Sequence, residues 1–238
     1  MNNFSNQRTS FASSASRVSY DAGLRAYMLS VYNYMAIALG ISGAVAFLTA
    51  SSPALMNAIF GTPLAFVVML APVIFVFVFA RKIHSLSSEA AKNYLWIFAG
   101  LMGLSLSTVF IQYTGTSIAR IFLVTASTFG LMSLYGYSTK KDLSGLGSFL
   151  IMGLIGLIIA SIVNIFMQSS AMQFALSVIG VFIFIGLTAY DTQKIKQAYY
   201  YSDGGSTSKL AVFGALNLYM DFINLFLMLL QLFGDRRN

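Results

Sequence analysis

Residues 210–233 read LAVFGALNLYMDFINLFLMLLQLF, a run in which Asp221 is the single charge among leucines, phenylalanines and methionines. As a helix rising 1.5 Å per residue, such a run is long enough to cross the ~30 Å hydrocarbon core of a bilayer. Asp221 follows Leu210 by eleven positions, which puts it about 16 Å along that helix and near its middle. An ionised carboxylate facing lipid there is costly, so Asp221 must face the protein interior or a water-filled cavity. Asn217, Asp221 and Asn224 fall at i, i+4 and i+7 on one helical face, with Gln231 near its continuation. Leu218, Phe222, Leu225 and Leu229 cover the other side. This polar face fits a buried site or aqueous vestibule; a structural cluster of interhelical hydrogen bonds is the plainer alternative.

Six further apolar stretches precede it: Ala26–Ala50, Ile59–Ala80, Tyr94–Gln112, Ser117–Tyr137, Leu146–Met167 and Gln173–Thr192. Turn residues separate them, among them Ser51-Ser52-Pro53, Gly61-Thr62-Pro63, Thr114-Gly115-Thr116, Gly145 and Asp203-Gly204-Gly205. Pro72 inside the second stretch marks a kink that membrane helices tolerate. The chain is 58% hydrophobic and only 9% charged, with a mean hydropathy of +0.77. Soluble domains carry roughly 25% charged residues, so an all-α polytopic membrane protein of seven spans is expected. Residues 1–25 are read as a flexible cytoplasmic tail, 26–233 as the transmembrane domain and 234–238 as a short C-terminal tail. The polar, Ser- and Asn-rich start is unlike a cleavable signal peptide, so the first span is read as retained.

Charge placement sets the orientation. Seven spans put Arg8, Arg17, Arg25, Arg81, Lys82, Lys92, Lys140, Lys141, Lys194, Lys196 and Lys209 on one side, against Arg120, Arg236 and Arg237 on the other. The positive-inside rule then places the N-terminus in the cytoplasm and the C-terminus outside. The net charge of +7 is thereby explained by topology and lipid headgroups, not nucleic acid. The absence of Cys excludes disulfides and thiol chemistry, and a single His excludes a His-rich metal site. No phosphate-binding loop, Gly-x-Ser-x-Gly elbow or His-Glu-x-x-His pair occurs, so no enzyme is expected. The pairs Gly40/Gly43, Gly100/Gly103 and Gly153/Gly156 offer smooth faces for helix packing.

Of the seven acidic residues, Asp191 is the other one that tails and connections do not account for. It lies toward the cytoplasmic end of the sixth span, and residues 194–200 can continue that helix and bury it more deeply. Consecutive antiparallel spans pack as neighbours, which would let Asp191 and Asp221 face each other across a proton or water. Two carboxylates sharing a proton titrate as a coupled pair and offer hard oxygen ligands to Ca²⁺. Such a pair makes a weak Ca²⁺ site suited to a permeating or sensed ion, with no tightly bound cofactor. Arg81 is read as a cation able to bridge the pair or, equally, as an interfacial anchor. His84 is a pH sensor only if buried beside the carboxylates. Trp96 and Tyr199-Tyr200-Tyr201 read as interfacial belt residues.

The same residues carry a resemblance. Gly186-Leu187-Thr188-Ala189-Tyr190-Asp191-Thr192-Gln193, the segment Ala215–Phe226, and the segment Tyr135–Ser144 resemble the Bax inhibitor-1 family in its bacterial form. Together with the span count the likeness extends from about Tyr20 to Phe233. It implies a bundle of six outer helices around a central seventh, in a bacterial inner membrane. It also implies that Asp191 and Asp221 are a pH-sensing di-aspartyl unit gating a passive Ca²⁺ leak, with Arg81 as the bridging arginine and Asn217 and Asn224 in the motif of the seventh span.

Two classes of function follow. One is a pH-sensitive calcium leak, with Ca²⁺, protons and membrane lipids as its partners. The other is a non-conducting regulator that binds a membrane protease or another membrane protein.

Overall fold

The computed structural model describes residues 3–82, 85–202 and 207–237, with side chains from Ala22 onward except at Ala80. The described residues form eight helices: α1 (Asn3–Ala50), α2 (Pro53–Phe60), α3 (Leu64–Lys82), α4 (Ser88–Gln112), α5 (Gly115–Ser138), α6 (Ser144–Met167), α7 (Ser170–Tyr200) and α8 (Thr207–Phe233). Six are long and apolar enough to cross a membrane, and the bent pair α2–α3 makes a seventh when counted together. The protein is an all-α polytopic membrane protein. The backbone of the tail expected over residues 1–25 continues α1 from Asn3 onward, and its side chains before Ala22 lie outside the described residues. His84 and the turn at 203–205 lie outside the described residues as well.

The second span departs from the sequence expectation. Ile59–Ala80 was one run of apolar residues, but the chain breaks at Gly61-Thr62-Pro63 and turns through 81°. The break has local causes. Ser52 caps α2 by accepting from the Leu55 N–H at 3.4 Å, and Pro53 opens the helix where its missing N–H costs nothing. Gly61 ends it, its N–H donating to the Asn57 carbonyl at 3.0 Å, before Pro63. Pro72 is accommodated inside α3, and the sharp bend lies at 61–63. At the other boundaries Ser87 caps α4 and Thr114 caps α5 through their hydroxyls. Those caps extend α4 back to Ser88 and leave two residues between α4 and α5.

Helix α8 is the axis of the bundle. It packs on α7, α1, α5 and α4, while α3 leans on α4 and α6 on α7. Leu218, Phe222, Leu225 and Leu229, expected on a lipid or core side, are all buried. The central position of the last helix is as expected, with four of the other long helices carrying its packing.

Of the glycines the spacing suggested, Gly103 and Gly153 make close approaches, a Cβ on Gly153 coming 3.2 Å from Ile183 on α7, and the other four do not. A Cβ on Gly40, Gly43, Gly100 or Gly156 would meet open space. Gly103 does allow contact, since a Cβ there would come within 2.7 Å of the Ser42 carbonyl on α1. The tightest crossing is at Gly136, which lies directly against the backbone of Ala189 on α7. An i,i+3 glycine pair marks a smooth face but does not say which helix uses it.

The end of α8 is tied to the α4–α5 connection. Tyr113 and Arg236 form an isolated antiparallel bridge. The Thr114 N–H donates to the Asp235 carbonyl at 3.0 Å and the Arg237 N–H to that of Gln112 at 2.9 Å. The Asp235 N–H donates to Ser117 Oγ at 2.9 Å, and Arg120 donates to the Asp235 carboxylate at 3.1 Å and to the Phe233 carbonyl at 3.2 Å. Both members of the ion pair are well exposed, so Arg120→Ala is expected to cost no more than ~1 kcal/mol in a detergent unfolding titration.

Candidate functional site

Asp221 lies mid-way along α8 with 5% of its surface exposed. Asp191 lies on α7, the antiparallel neighbour, and is partly buried. The two carboxyls face each other within hydrogen-bonding reach. Two carboxylates are acceptors only, so this approach is a bond when one of them carries a proton. Asp221 Oδ2 is the one fully buried side-chain oxygen or nitrogen left without a protein partner among the described residues. A buried oxygen of that kind is expensive to leave unsatisfied, and a shared proton or a water is what the geometry admits.

The structure does not bring Arg81 to this pair. It is exposed at the end of α3, whose main packing is with α4 and α2. Among the described residues the ion pairs are Lys92–Glu89 and Arg120–Asp235. The cation in electrostatic reach of Asp191 is Lys194, three residues on along α7, with its ammonium 5.8 Å from the Tyr190 ring centroid. Helix α3 packs on α4 and α2 rather than on α7 or α8, which leaves Arg81 with its other reading, an interfacial anchor. Asn217 and Asn224 are half-buried on α8, and the Asn224 amide donates to the Met220 carbonyl at 2.9 Å. Among the described residues no three or more of His, Asp and Glu gather as a metal cluster.

Hydroxyl chains frame the pair on both sides. Thr192, next to Asp191, hydrogen-bonds with Ser133 of α5 at 3.0 Å, and Ser133 with Tyr32 of α1 at 2.6 Å. On α8, Tyr219 bonds to Ser42 of α1 at 2.7 Å, and Ser42 donates onward to the Ala99 carbonyl of α4 at 2.7 Å or to that of Ala38 at 2.9 Å. These networks hold α7 and α8 against α1, α4 and α5, and the sequence reading did not single out their members. Their signal was present: hydroxyls in apolar helices, where each buried one needs a partner.

Two of the sequence segments quoted above, Gly186–Gln193 and Tyr135–Ser144, interlock at one end of the bundle. Gln193, buried on α7, accepts from the Leu143 N–H at 2.9 Å and donates to the Lys141 carbonyl at 2.8 Å. Lys196 donates to the Tyr137 carbonyl at 2.7 Å. Gln193 thus supplies both missing partners of a backbone connection, and Gln193→Ala is expected to cost ~1–3 kcal/mol in thermal or denaturant unfolding. In the same connection Asp142 accepts from the Ser144 N–H at 2.9 Å, and Ser144's hydroxyl and N–H hold its carboxyl below the ordinary carboxylate range. A lowered value contributes stability at neutral pH that is lost as acid takes the pH down through it.

Comparison with known proteins agrees with this architecture. Residues 24–238 match the family described as "Inhibitor of apoptosis-promoting Bax1". The chain is 49% identical over 220 residues to the uncharacterized protein RP147 of Rickettsia prowazekii, covering 92% of this chain and 93% of that one. It is 46% identical over 231 residues to the inner membrane protein YbhL of Escherichia coli strain K12, covering 95% and 99%. A helical bundle built around a buried carboxylate, matched from the first span to the C-terminus by that family, makes this chain a membrane protein of the Bax inhibitor-1 family.

Proposed function

We propose that this protein is a pH-sensitive passive leak for Ca²⁺ in a bacterial inner membrane, gated by the Asp191–Asp221 pair. The observation that carries the reading is a carboxyl pair placed between the central helix and its neighbour, one oxygen of which has no protein partner. With one shared proton the carboxyls bond to each other and hold α8 on α7. With the proton lost, two like charges repel in a medium of low dielectric, and α8 shifts relative to its neighbours. The freed carboxylates are then hard oxygen ligands for a divalent cation in transit. Lys194 offsets part of the charge on Asp191, a role expected earlier of Arg81. The excess of basic residues at the end holding the α5–α6 connection supports a cytoplasmic N-terminus.

The test is Ca²⁺ flux into dye-loaded proteoliposomes of purified protein over a range of pH. The expected result is flux above protein-free vesicles that grows as the pH is raised. Folded protein that passes no Ca²⁺ at any pH overturns the leak and leaves a non-conducting regulator, whose partner is then sought by crosslinking in membranes.

A further inference from the structure

Helices α1 and α5 flank a crevice of about 590 Å³ that opens to the side of the bundle. On α1 it is lined at i, i+3, i+4 and i+7 by Arg25, Met28, Leu29 and Tyr32, facing Phe129 and Leu134 on α5. Its volume falls within the ~300–1,000 Å³ of small-molecule sites. The Tyr32–Ser133 hydrogen bond at 2.6 Å spans it from helix to helix. Charge is confined to one end. Arg25 is exposed there, and Lys196 comes to the same end through its bond to the Tyr137 carbonyl at 2.7 Å, 4.9 Å from that ring's centroid. Among the described residues no Asp or Glu lines the crevice.

An apolar slot with a cationic mouth is complementary to an amphiphile with an anionic head. Basic pockets between membrane helices hold anionic lipid headgroups on this principle. We propose that the α1–α5 crevice binds one anionic phospholipid of the surrounding membrane, an acyl chain lying against Met28, Leu29 and Phe129 and the phosphate on Arg25. The inference stands independently of the ion leak, since it uses none of the residues of the aspartate pair.

Gly130 supplies the test, because a side chain there meets open space rather than protein. Full-length protein would be offered phosphatidylglycerol and phosphatidylcholine in equal amounts, and retained lipid counted by native mass spectrometry. Wild type is expected to retain phosphatidylglycerol in preference. Gly130→Leu fills the crevice and is expected to lose that lipid, whereas Gly156→Leu, on α6 and also facing open space, keeps it. Arg25→Gln leaves the slot open and is expected to lower the preference about fivefold, the effect of one basic residue at a membrane surface. Gly130→Leu retaining phosphatidylglycerol as wild type does, or Arg25→Gln keeping the full preference, overturns the proposal. If Gly130→Leu does not elute as folded protein, Arg25→Gln alone decides.

Discussion

Asp221→Asn is expected to bring Ca²⁺ flux down on the order of 10- to 100-fold at the high end of the pH range and to make the residue of it independent of pH. The asparagine amide has the shape of a carboxyl and always carries a donor. It can give Asp191 the hydrogen bond that in the wild type exists only while a proton is shared. The variant is therefore a chemical copy of the singly protonated pair, held closed at every pH. Asp191→Asn makes the same substitution from the α7 side and should give the same flat profile, which distinguishes a pair from a single titrating group. Asp221→Leu supplies the contrast: it removes the partner altogether and leaves Asp191 facing an apolar neighbour, so its fold should suffer where Asp221→Asn does not. Flux from Asp221→Asn proteoliposomes that matches wild type in size and pH response would sink the gate, whatever the wild-type protein does.

Much of this site was legible in one helix. A single carboxylate in a 24-residue apolar run has few physically tolerable positions, and burial between helices is the commonest. Asp191 followed because residues 194–200 continue α7, as the structure finds. What pairs with those carboxylates was not legible, because it depends on which helix lies beside which. Arg81 and Asp191 sit near the ends of helices in any seven-span arrangement, yet α3 packs on α4 and α2, and the cation in electrostatic reach of Asp191 is Lys194 on α7 itself. The bend between α2 and α3 was announced by Gly61-Thr62-Pro63, but the apolar run through Ile59 and Phe60 hid it. Hydroxyls such as Ser42 and Ser133 signalled a need for partners but not which ones, since a serine in an apolar helix can bond to its own turn as readily as to a neighbour. Ser42 has both choices within reach, the Ala38 carbonyl on α1 and the Ala99 carbonyl on α4.

The same limit governs the glycines, and it gives the second large effect. Gly136→Ala and Gly130→Ala change the same atoms on the same helix, six residues apart, and should move stability in opposite directions. At Gly130 the new methyl meets no protein atom, and removing a glycine from a helix interior lowers the backbone entropy lost on folding. A gain of up to ~1 kcal/mol is expected there. At Gly136 the methyl would be driven into the carbonyl oxygen, carbonyl carbon and Cα of Ala189, none of which can rotate away as a side chain tip would. Overpacking ordinarily costs ~1–3 kcal/mol, and a backbone obstacle puts this case at or above the top of that range. Relief requires α5 to move off α7, and the Ser133–Thr192 bond beside Asp191 lies on that same interface. Thermal unfolding in detergent, followed by circular dichroism, measures both variants on one scale. A Gly136→Ala protein as stable as wild type would mean that the α5–α7 crossing is looser than described, and that the aspartate pair is not held at the separation on which the shared proton depends.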